Sequence, residues 1–131
     1  MIGVDTNVLA RFLVGDDPDQ EARAARFLTQ ASASGEGLFV AQIVVCELVW
    51  VLSHAYGKSR AEIASGLEAL LRTRQLTFDN IDQIRSALER FAAGDGDLAD
   101  WLIWERSREA GAETVVTFDT RLLRSAEFVE V

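Results

Sequence analysis

Carboxylic acids stand at several places in the sequence where their type and spacing could support chemistry. Asp5 follows a short apolar run near residue 1, and Asp119 follows another near residue 131. Glu47 is the only charge in an otherwise apolar segment, and Asp100 lies one helical turn after Asp97. A group of carboxylates favours Mg²⁺ or Mn²⁺ rather than zinc. Such an ion binds phosphate oxygens and activates water, so the pattern suits phosphodiester hydrolysis.

Glu47 is the acid that folding alone explains least well. Its neighbours from Ile43 to Leu52 are typical of a protein core, and Glu47 lies well inside a predicted helix. Because desolvating a lone carboxylate is costly, a buried Glu47 needs an arginine partner, a shifted pKa or a metal ion. The four aspartates, by contrast, could each be a helix cap. We therefore predict that Glu47 is buried and faces a positive charge.

Length and composition indicate a single globular domain over residues 1–131. Apolar residues make up 49% of the chain and charged residues 26%, which is ordinary for a globular protein. No apolar run approaches the length of about 20 residues that a membrane span needs. The N-terminal residues lack the basic start and cleavage site of a signal peptide. A single cysteine, Cys46, excludes an internal disulfide, and we predict a cytoplasmic protein.

The formal net charge of −8 comes from 21 acids and 13 bases. This balance argues against a protein that coats nucleic acid by bulk charge. It does not exclude a nuclease, because acids that bind a metal ion are counted among the 21. Twelve of the bases are arginines, which suit bidentate contacts with phosphate.

Short apolar strands alternate with helices along the whole chain. The predicted strands cover residues 2–5, 38–41, 76–78, 114–118 and 128–131. The predicted helices cover residues 6–14, 16–33, 43–56, 59–73, 80–93 and 97–110, with a helical turn at 120–124. This alternation predicts a three-layer α/β/α fold with a short, mainly parallel sheet. Ligands of such sheets bind beyond the carboxyl ends of the strands, where Asp5 and Asp119 belong.

Four acidic segments together resemble those of PIN-domain proteins. In order they are Met1–Leu9, Cys46–Leu52, Asp97–Ile103 and Val115–Asp119, with spacings of 42, 53 and 19 residues between successive acids. The short chain and the segment Asp16, Asp17, Pro18 resemble the VapC toxins of type II toxin–antitoxin pairs. One departure is the run from Trp101 to Trp104, where small residues are commoner in the family.

The resemblance implies an Mg²⁺- or Mn²⁺-dependent endoribonuclease that is held inactive by a cognate antitoxin and forms a homodimer. It implies in-line attack by an activated water, leaving a 5′-phosphate and a 3′-hydroxyl. The implied metal-binding quartet is Asp5, Glu47, Asp100 and Asp119. Asp5 and Asp100 would hold the principal ion, and Asp97 is a further candidate ligand beside Asp100.

The resemblance also implies roles for the remaining residues of the site. Glu47 would bind the ion directly or through water and accept a proton. Asp119 would orient water or support a second ion. The polar residues that match positions orienting the acids or a water are Thr6, Asn7 and Thr117. The arginines predicted to contact RNA are Arg11, Arg121 and Arg124, although solvated surface charge explains them equally well.

Two other functions compete with this prediction. A non-catalytic binding module could keep the PIN fold as a scaffold, although all four acids are present. A HAD-like phosphatase also begins with an aspartate after its first strand. That chemistry needs a second aspartate two positions on, where Asn7 stands, and a later lysine, whereas Lys58 is the only lysine.

Overall fold

The computed structural model describes residues 1–131 and divides them into two compact units, Met1–Ile81 and Asp82–Val131. The order of helices and strands predicted from the sequence is confirmed along the whole chain. The prediction of one domain over residues 1–131 stays a prediction. No helix is both long enough and apolar enough to span a membrane.

The first unit contains a three-stranded parallel sheet and four helices. Its elements, in chain order, are β1 (Ile2–Gly3), α1 (Thr6–Val14), α2 (Pro18–Ser34), β2 (Leu38–Val40), α3 (Gln42–His54), α4 (Arg60–Leu71) and β3 (Leu76–Phe78). The strand order is β1-β2-β3, with Ile2 aligned with Leu38 and Leu38 aligned with Leu76. Because all three strands are parallel, their carboxyl ends meet at one edge of the sheet, and Asp5 follows that edge.

Local signals in the sequence set the helix ends of the first unit. Gly15 ends α1 in the left-handed conformation (φ +65°), which glycine adopts without steric strain. The side chain of Asp17 accepts a hydrogen bond from the backbone N–H of Gln20 at the start of α2. Ser59 and Glu62 form a capping box at the start of α4. Helix α1 packs against both α2 and α3.

The second unit contains two helices, a 3₁₀ turn and two parallel strands. Its elements are α5 (Ile81–Ala92), which begins at the unit boundary, α6 (Leu98–Glu109), β4 (Val115–Thr117), the 3₁₀ turn (Leu122–Arg124) and β5 (Phe128–Glu130). In the sheet, Val115 is aligned with Phe128 and Thr117 with Glu130. Asp119 follows the carboxyl end of β4, as predicted.

Trp101 is the centre of the second unit's core and is only 1% exposed. Its indole N–H donates to the carbonyl of Asp95 at 2.9 Å, and its ring meets Phe128 edge-to-face at 5.2 Å. The guanidinium of Arg90 lies 3.7 Å from the centroid of the indole and also binds the Glu127 carboxylate at 2.9 Å. The large residue that departs from the family pattern therefore fills the core that joins α5, α6 and β5.

Candidate active site

Asp5 occupies the turn between β1 and α1, where its carboxylate is exposed. Its backbone is extended (φ −82°, ψ 161°), and its Oδ1 accepts a hydrogen bond from the backbone N–H of Thr6 at 2.8 Å. Asp5 is thus the N-cap residue of α1, as its position in the sequence also suggested. Capping uses one carboxylate oxygen, so the second oxygen can still bind a ligand.

Thr6 carries a buried hydroxyl that makes no hydrogen bond. The residue is only 4% exposed, and its Oγ1 has no partner within hydrogen-bonding distance. Buried hydroxyls in native proteins nearly always have a partner, because an unpaired one is destabilising. Next to it, Asn7 is exposed and lines a cleft with Asp5. The first turn of α1 therefore presents three polar residues at the carboxyl edge of the first sheet.

Glu47 is exposed, so the prediction that it is buried is wrong. The buried residues of α3 are Val44, Val45, Leu48 and Leu52, and they define the face that packs into the core. Glu47 lies on a different face, which also carries the exposed residues Ile43, Trp50 and His54. The segment looks like core because Ile43 and Trp50 are apolar, yet they are 69% and 61% exposed. No arginine or lysine pairs with Glu47, so its carboxylate is accessible to a ligand.

Asp100 is half-buried at the start of α6 and lies near two other carboxylates. Its Oδ2 accepts a hydrogen bond from the backbone N–H of Asp97 at 2.9 Å. Burial raises the pKa of Asp100, and the negative charges of Asp97 and Asp119 raise it further. The hydrogen bond from Asp97 and the charge of Arg121 act in the opposite direction. The second unit therefore brings together Asp97, Asp100 and Asp119, the three acids predicted for it.

Asp119 is held in place by its own chain. Arg121 donates to both carboxylate oxygens, with Nη2 2.9 Å from Oδ2 and Nε 3.2 Å from Oδ1. The backbone N–H of Asp119 donates to Oγ1 of Thr117 at 3.0 Å, which fixes the turn after β4. The hydrogen bonds from Arg121 lower the pKa of Asp119, so this carboxylate is ionised at neutral pH. Thr117 is thus a positioning residue for Asp119.

Gly96 is a neighbour of Asp100 in the turn between α5 and α6. Its φ is +49°, and a Cβ atom there would lie 3.3 Å from Oδ2 of Asp100 and 2.9 Å from Cδ2 of Leu122. A larger residue would therefore displace the carboxylate or the 3₁₀ turn. No pattern in the sequence indicates how closely the backbone of Gly96 approaches Asp100.

The three arginines predicted to contact RNA all have partners within the chain. Arg11 donates to Gln20, Asp16 and Tyr56, at distances between 2.6 and 2.8 Å. Nε of Arg124 donates to the backbone carbonyl of Arg121 at 3.2 Å, while Arg121 itself binds Asp119. Their contact with RNA stays a prediction, and each has fewer free donors for it than an unpaired arginine.

The predicted metal ligands are divided between the units. Asp5, the N-cap of α1, and Glu47 on α3 belong to the first, and Asp97, Asp100 and Asp119 belong to the second. Nowhere in the chain do three or more His, Cys, Asp or Glu side chains form a group that could hold a metal ion. The donor chemistry nevertheless fits a hard divalent cation, because every candidate ligand is a carboxylate.

Comparison with known proteins identifies the class to which this fold and these acids belong. The model of the PIN domain family matches residues 2–128, and the chain therefore belongs to the PIN domain family. It is also similar to the VapC ribonuclease of Aquifex aeolicus (strain VF5). The two are 31% identical over 118 residues, which cover 90% of this chain and 87% of that protein. The predicted α/β fold class and the resemblance to VapC proteins are confirmed, and the HAD-like alternative is excluded.

Proposed function

We propose that this protein is an endoribonuclease that hydrolyses RNA phosphodiester bonds and acts as the toxin of a toxin–antitoxin pair. The observation that carries the proposal is the similarity to a VapC ribonuclease over 90% of the chain, within a match to the PIN family. The exposed carboxylate of Asp5 after β1 and the half-buried carboxylate of Asp119 after β4 support it, because ligands of parallel sheets bind at such edges.

The proposed cofactor is Mg²⁺ or Mn²⁺, bound by Asp5, Glu47, Asp100 and Asp119. Support comes from Asp100, since burial and, to a smaller extent, the nearby charges of Asp97 and Asp119 raise its pKa, and a divalent cation would offset both effects. When bound, the ion offsets negative charge on the phosphate and makes water a better nucleophile. Asp97 stays a candidate ligand, because its charge also acts on Asp100.

The chain's own residues would position the reacting groups. Thr117 and Arg121 hold Asp119 in one orientation, so its carboxylate can orient an attacking water. Glu47 is exposed and unpaired, which suits a group that accepts a proton from that water. The unpaired hydroxyl of Thr6 and the exposed amide of Asn7 are hydrogen-bonding groups beside Asp5.

The biological context proposed for the protein follows from the same similarity. The partners are an RNA substrate and a cognate antitoxin, the assembly is a homodimer, and the compartment is the cytoplasm. Co-expression with the small open reading frame beside the gene tests the antitoxin. A stable complex supports the toxin role, and separate elution of the two proteins contradicts it.

Cleavage of a mixed RNA pool tests the enzymatic assignment. Wild-type protein should cleave with Mn²⁺ or Mg²⁺ and stop when a chelator is added. Asp5→Asn should lose activity by at least about a hundredfold, because it removes a charged ligand of the proposed ion. Asp19→Asn is the matched control, since Asp19 is an exposed aspartate in the first turn of α2 and should keep full activity.

Two results would contradict the enzymatic assignment. Equal cleavage by wild-type protein and Asp5→Asn would mean that a contaminating nuclease is responsible. A wild-type protein that binds its antitoxin but cleaves no RNA with either ion would instead support the non-catalytic binding module.

A further inference from the structure

A cleft within the first unit extends from Asp5 between helices α1 and α2. Its volume is about 470 Å³, and it lies wholly within residues 3–27. Side chains that line it from β1, α1 and the turn between them are Asp5, Asn7, Val8 and Arg11; from α2 they are Gln20, Arg23, Ala24 and Phe27. The α2 residues lie at the spacing i, i+3, i+4 and i+7, which places them on one side of the helix.

Arg23 is the unpaired cation of this cleft. Its side chain is exposed and forms no ion pair or hydrogen bond with the rest of the chain. Arg11 lies across the cleft, but its guanidinium is already bound by Asp16, Gln20 and Tyr56. Of the two arginines, only Arg23 can therefore give all its donors to a ligand.

The charge of the cleft differs from that of the whole chain. The protein carries a formal charge of −8, yet two arginines and a single acid, Asp5, line the cleft. A guanidinium without a partner prefers a phosphate or carboxylate, with which it forms two parallel hydrogen bonds. The ligand that this cleft favours is therefore an anion.

The rest of the lining is mainly apolar and includes one aromatic ring. Phe27 is only partly covered, one helical turn beyond Arg23 on the same side of α2. Proteins that bind single-stranded nucleic acid combine cations along the backbone with aromatic rings on which bases stack. A nucleotide offers both an anionic phosphate and a flat base, so it matches the two features of this cleft.

We propose that the cleft between α1 and α2 binds the RNA nucleotide next to the phosphate that is cleaved. Arg23 binds the phosphate of that nucleotide, and Phe27 stacks on its base. The inference rests on the proposed ribonuclease function, because Asp5 at the end of the cleft is one of the proposed metal ligands. Arg23 and Phe27 are substrate-positioning residues and take no part in the chemical step.

Binding of a fluorescein-labelled oligouridylate to metal-free protein, followed by fluorescence anisotropy, tests the cleft without cleavage. Arg23→Ala should weaken binding about tenfold, as expected for loss of a charged hydrogen bond. It should also lower the slope of log K against log salt by about 1, whereas Arg23→Lys should keep that slope. Arg26→Ala is the matched control, because Arg26 is exposed on the same helix but does not line the cleft.

A second variant separates stacking from charge. Phe27→Leu keeps an apolar side chain in the cleft but removes the aromatic ring. It should weaken binding at least about fivefold, with the salt slope unchanged, because stacking carries no net charge. Circular dichroism of each variant checks that the helices are retained.

Cleavage kinetics distinguish failure of this inference from failure of the proposed function. If wild-type protein cleaves RNA, Arg23→Ala should raise KM about tenfold and leave kcat nearly unchanged.

Equal oligouridylate affinities for Arg23→Ala and Arg26→Ala overturn the cleft assignment, even when wild-type protein is an active nuclease. Loss of antitoxin binding in Arg23→Ala with unchanged RNA affinity also overturns it, and assigns the cleft to a protein partner instead. Absence of metal-dependent cleavage by wild-type protein contradicts the proposed function, and the anisotropy series still decides whether the cleft binds RNA.

Discussion

At the scale of single residues, the proposed site acids differ in how far the fold itself uses them. Asp5 caps α1, Asp100 accepts a backbone hydrogen bond, and Asp119 is paired with Arg121. Each aspartate therefore contributes to local structure as well as to the proposed chemistry, which explains why capping and metal binding were both reasonable interpretations. Glu47 has no such structural partner. Because Glu47 is exposed, burial no longer demands a positive partner for it, and its role in metal binding stays a prediction.

Substitution of Asp100 separates its charge from its role at the helix start. Without metal, Asp100→Asn should leave the melting temperature unchanged or raised, because the amide oxygen can still accept from Asp97 and no charge is desolvated. Asp100→Ala is the control that removes the acceptor, and it should lower the free energy of unfolding by about 1 kcal/mol. A large loss of stability in Asp100→Asn would show that the carboxylate itself is required as a cap.

The raised pKa of Asp100 makes the difference in stability between wild-type protein and Asp100→Asn depend on pH. The folded state holds the proton of Asp100 more tightly than the unfolded state, because burial raises the pKa of the folded group. The stability of wild-type protein should therefore rise relative to Asp100→Asn as the pH falls through the folded pKa. Thermal melts with chelator over a pH series measure this effect. The melting temperature of Asp100→Asn should exceed that of wild-type protein most at neutral pH and less in acid.

Thr6 allows a similar separation of stability from activity. Thr6→Val keeps the shape of the side chain and removes the hydroxyl that has no hydrogen-bond partner. The free energy of unfolding should stay the same or rise by about 1 kcal/mol, while ribonuclease activity falls. Thr6→Ser, which keeps the hydroxyl, is the control for activity. A clear loss of stability in Thr6→Val would mean that the hydroxyl has a structural role.

At the scale of helices and strands, the sequence was sufficient where local signals decide the outcome. The predicted helix starts at residues 16 and 59 lie within two residues of the observed ones, because the caps Asp17 and Ser59 act over only a few residues. The exposed side of α3 was not predictable, because Ile43 and Trp50 are apolar but face solvent. Apolar character indicates a core only statistically, and tertiary packing decides which side of a helix is covered.

Long-range pairs were also beyond the reach of the sequence. Arg11 binds Tyr56, which is 45 positions away, and that contact removed it as a free cation. Arg23 was overlooked, because periodicity gives the sides of α2 but not which of them faces α1. The composition of the site stays a prediction from motifs, whereas the availability of each charge depended on the tertiary structure.

The pair Arg90–Glu127 links α5 to the start of β5, and its contribution to stability should depend on pH. The hydrogen bond from Arg90 lowers the pKa of Glu127, so its stabilisation is present above the unfolded pKa and is lost as the pH falls through the folded value. Glu127→Gln should reduce the free energy of unfolding by about 1 kcal/mol at neutral pH and by less in acid.

Glu68→Gln is the matched control for this pair. The pair Glu68–Arg72 is exposed and spans a single helical turn, so its loss should be too small to detect by urea denaturation. Equal effects of Glu127→Gln and Glu68→Gln would contradict a structural role for the link between α5 and β5.

At the scale of the whole molecule, the family match spans residues 2–128 and thus includes both compact units. The proposed metal ligands come from both units as well. The proposed quartet therefore predicts that removing an acid from either part of the chain weakens metal binding.

Thermal melts with and without Mn²⁺ test this dependence. At a concentration one hundred times the dissociation constant, Mn²⁺ should stabilise wild-type protein by about 2.7 kcal/mol. Asp5→Asn in the first unit and Asp100→Asn in the second should each abolish most of that gain. Asp19→Asn should retain it in full. Full stabilisation of Asp5→Asn would mean that the ion binds elsewhere.

The environments of Trp50 and Trp101 have a further, optical consequence. Trp50 lies in the first unit and is 61% exposed, whereas Trp101 lies in the second and is 1% exposed. Iodide in solution should quench the emission of Trp50 and leave that of Trp101 almost untouched. The second unit also contains the half-buried Trp104. Trp50→Phe would therefore leave the emission of Trp101 and Trp104, a signal from the second unit alone. Unfolding could then be followed unit by unit without attaching a dye.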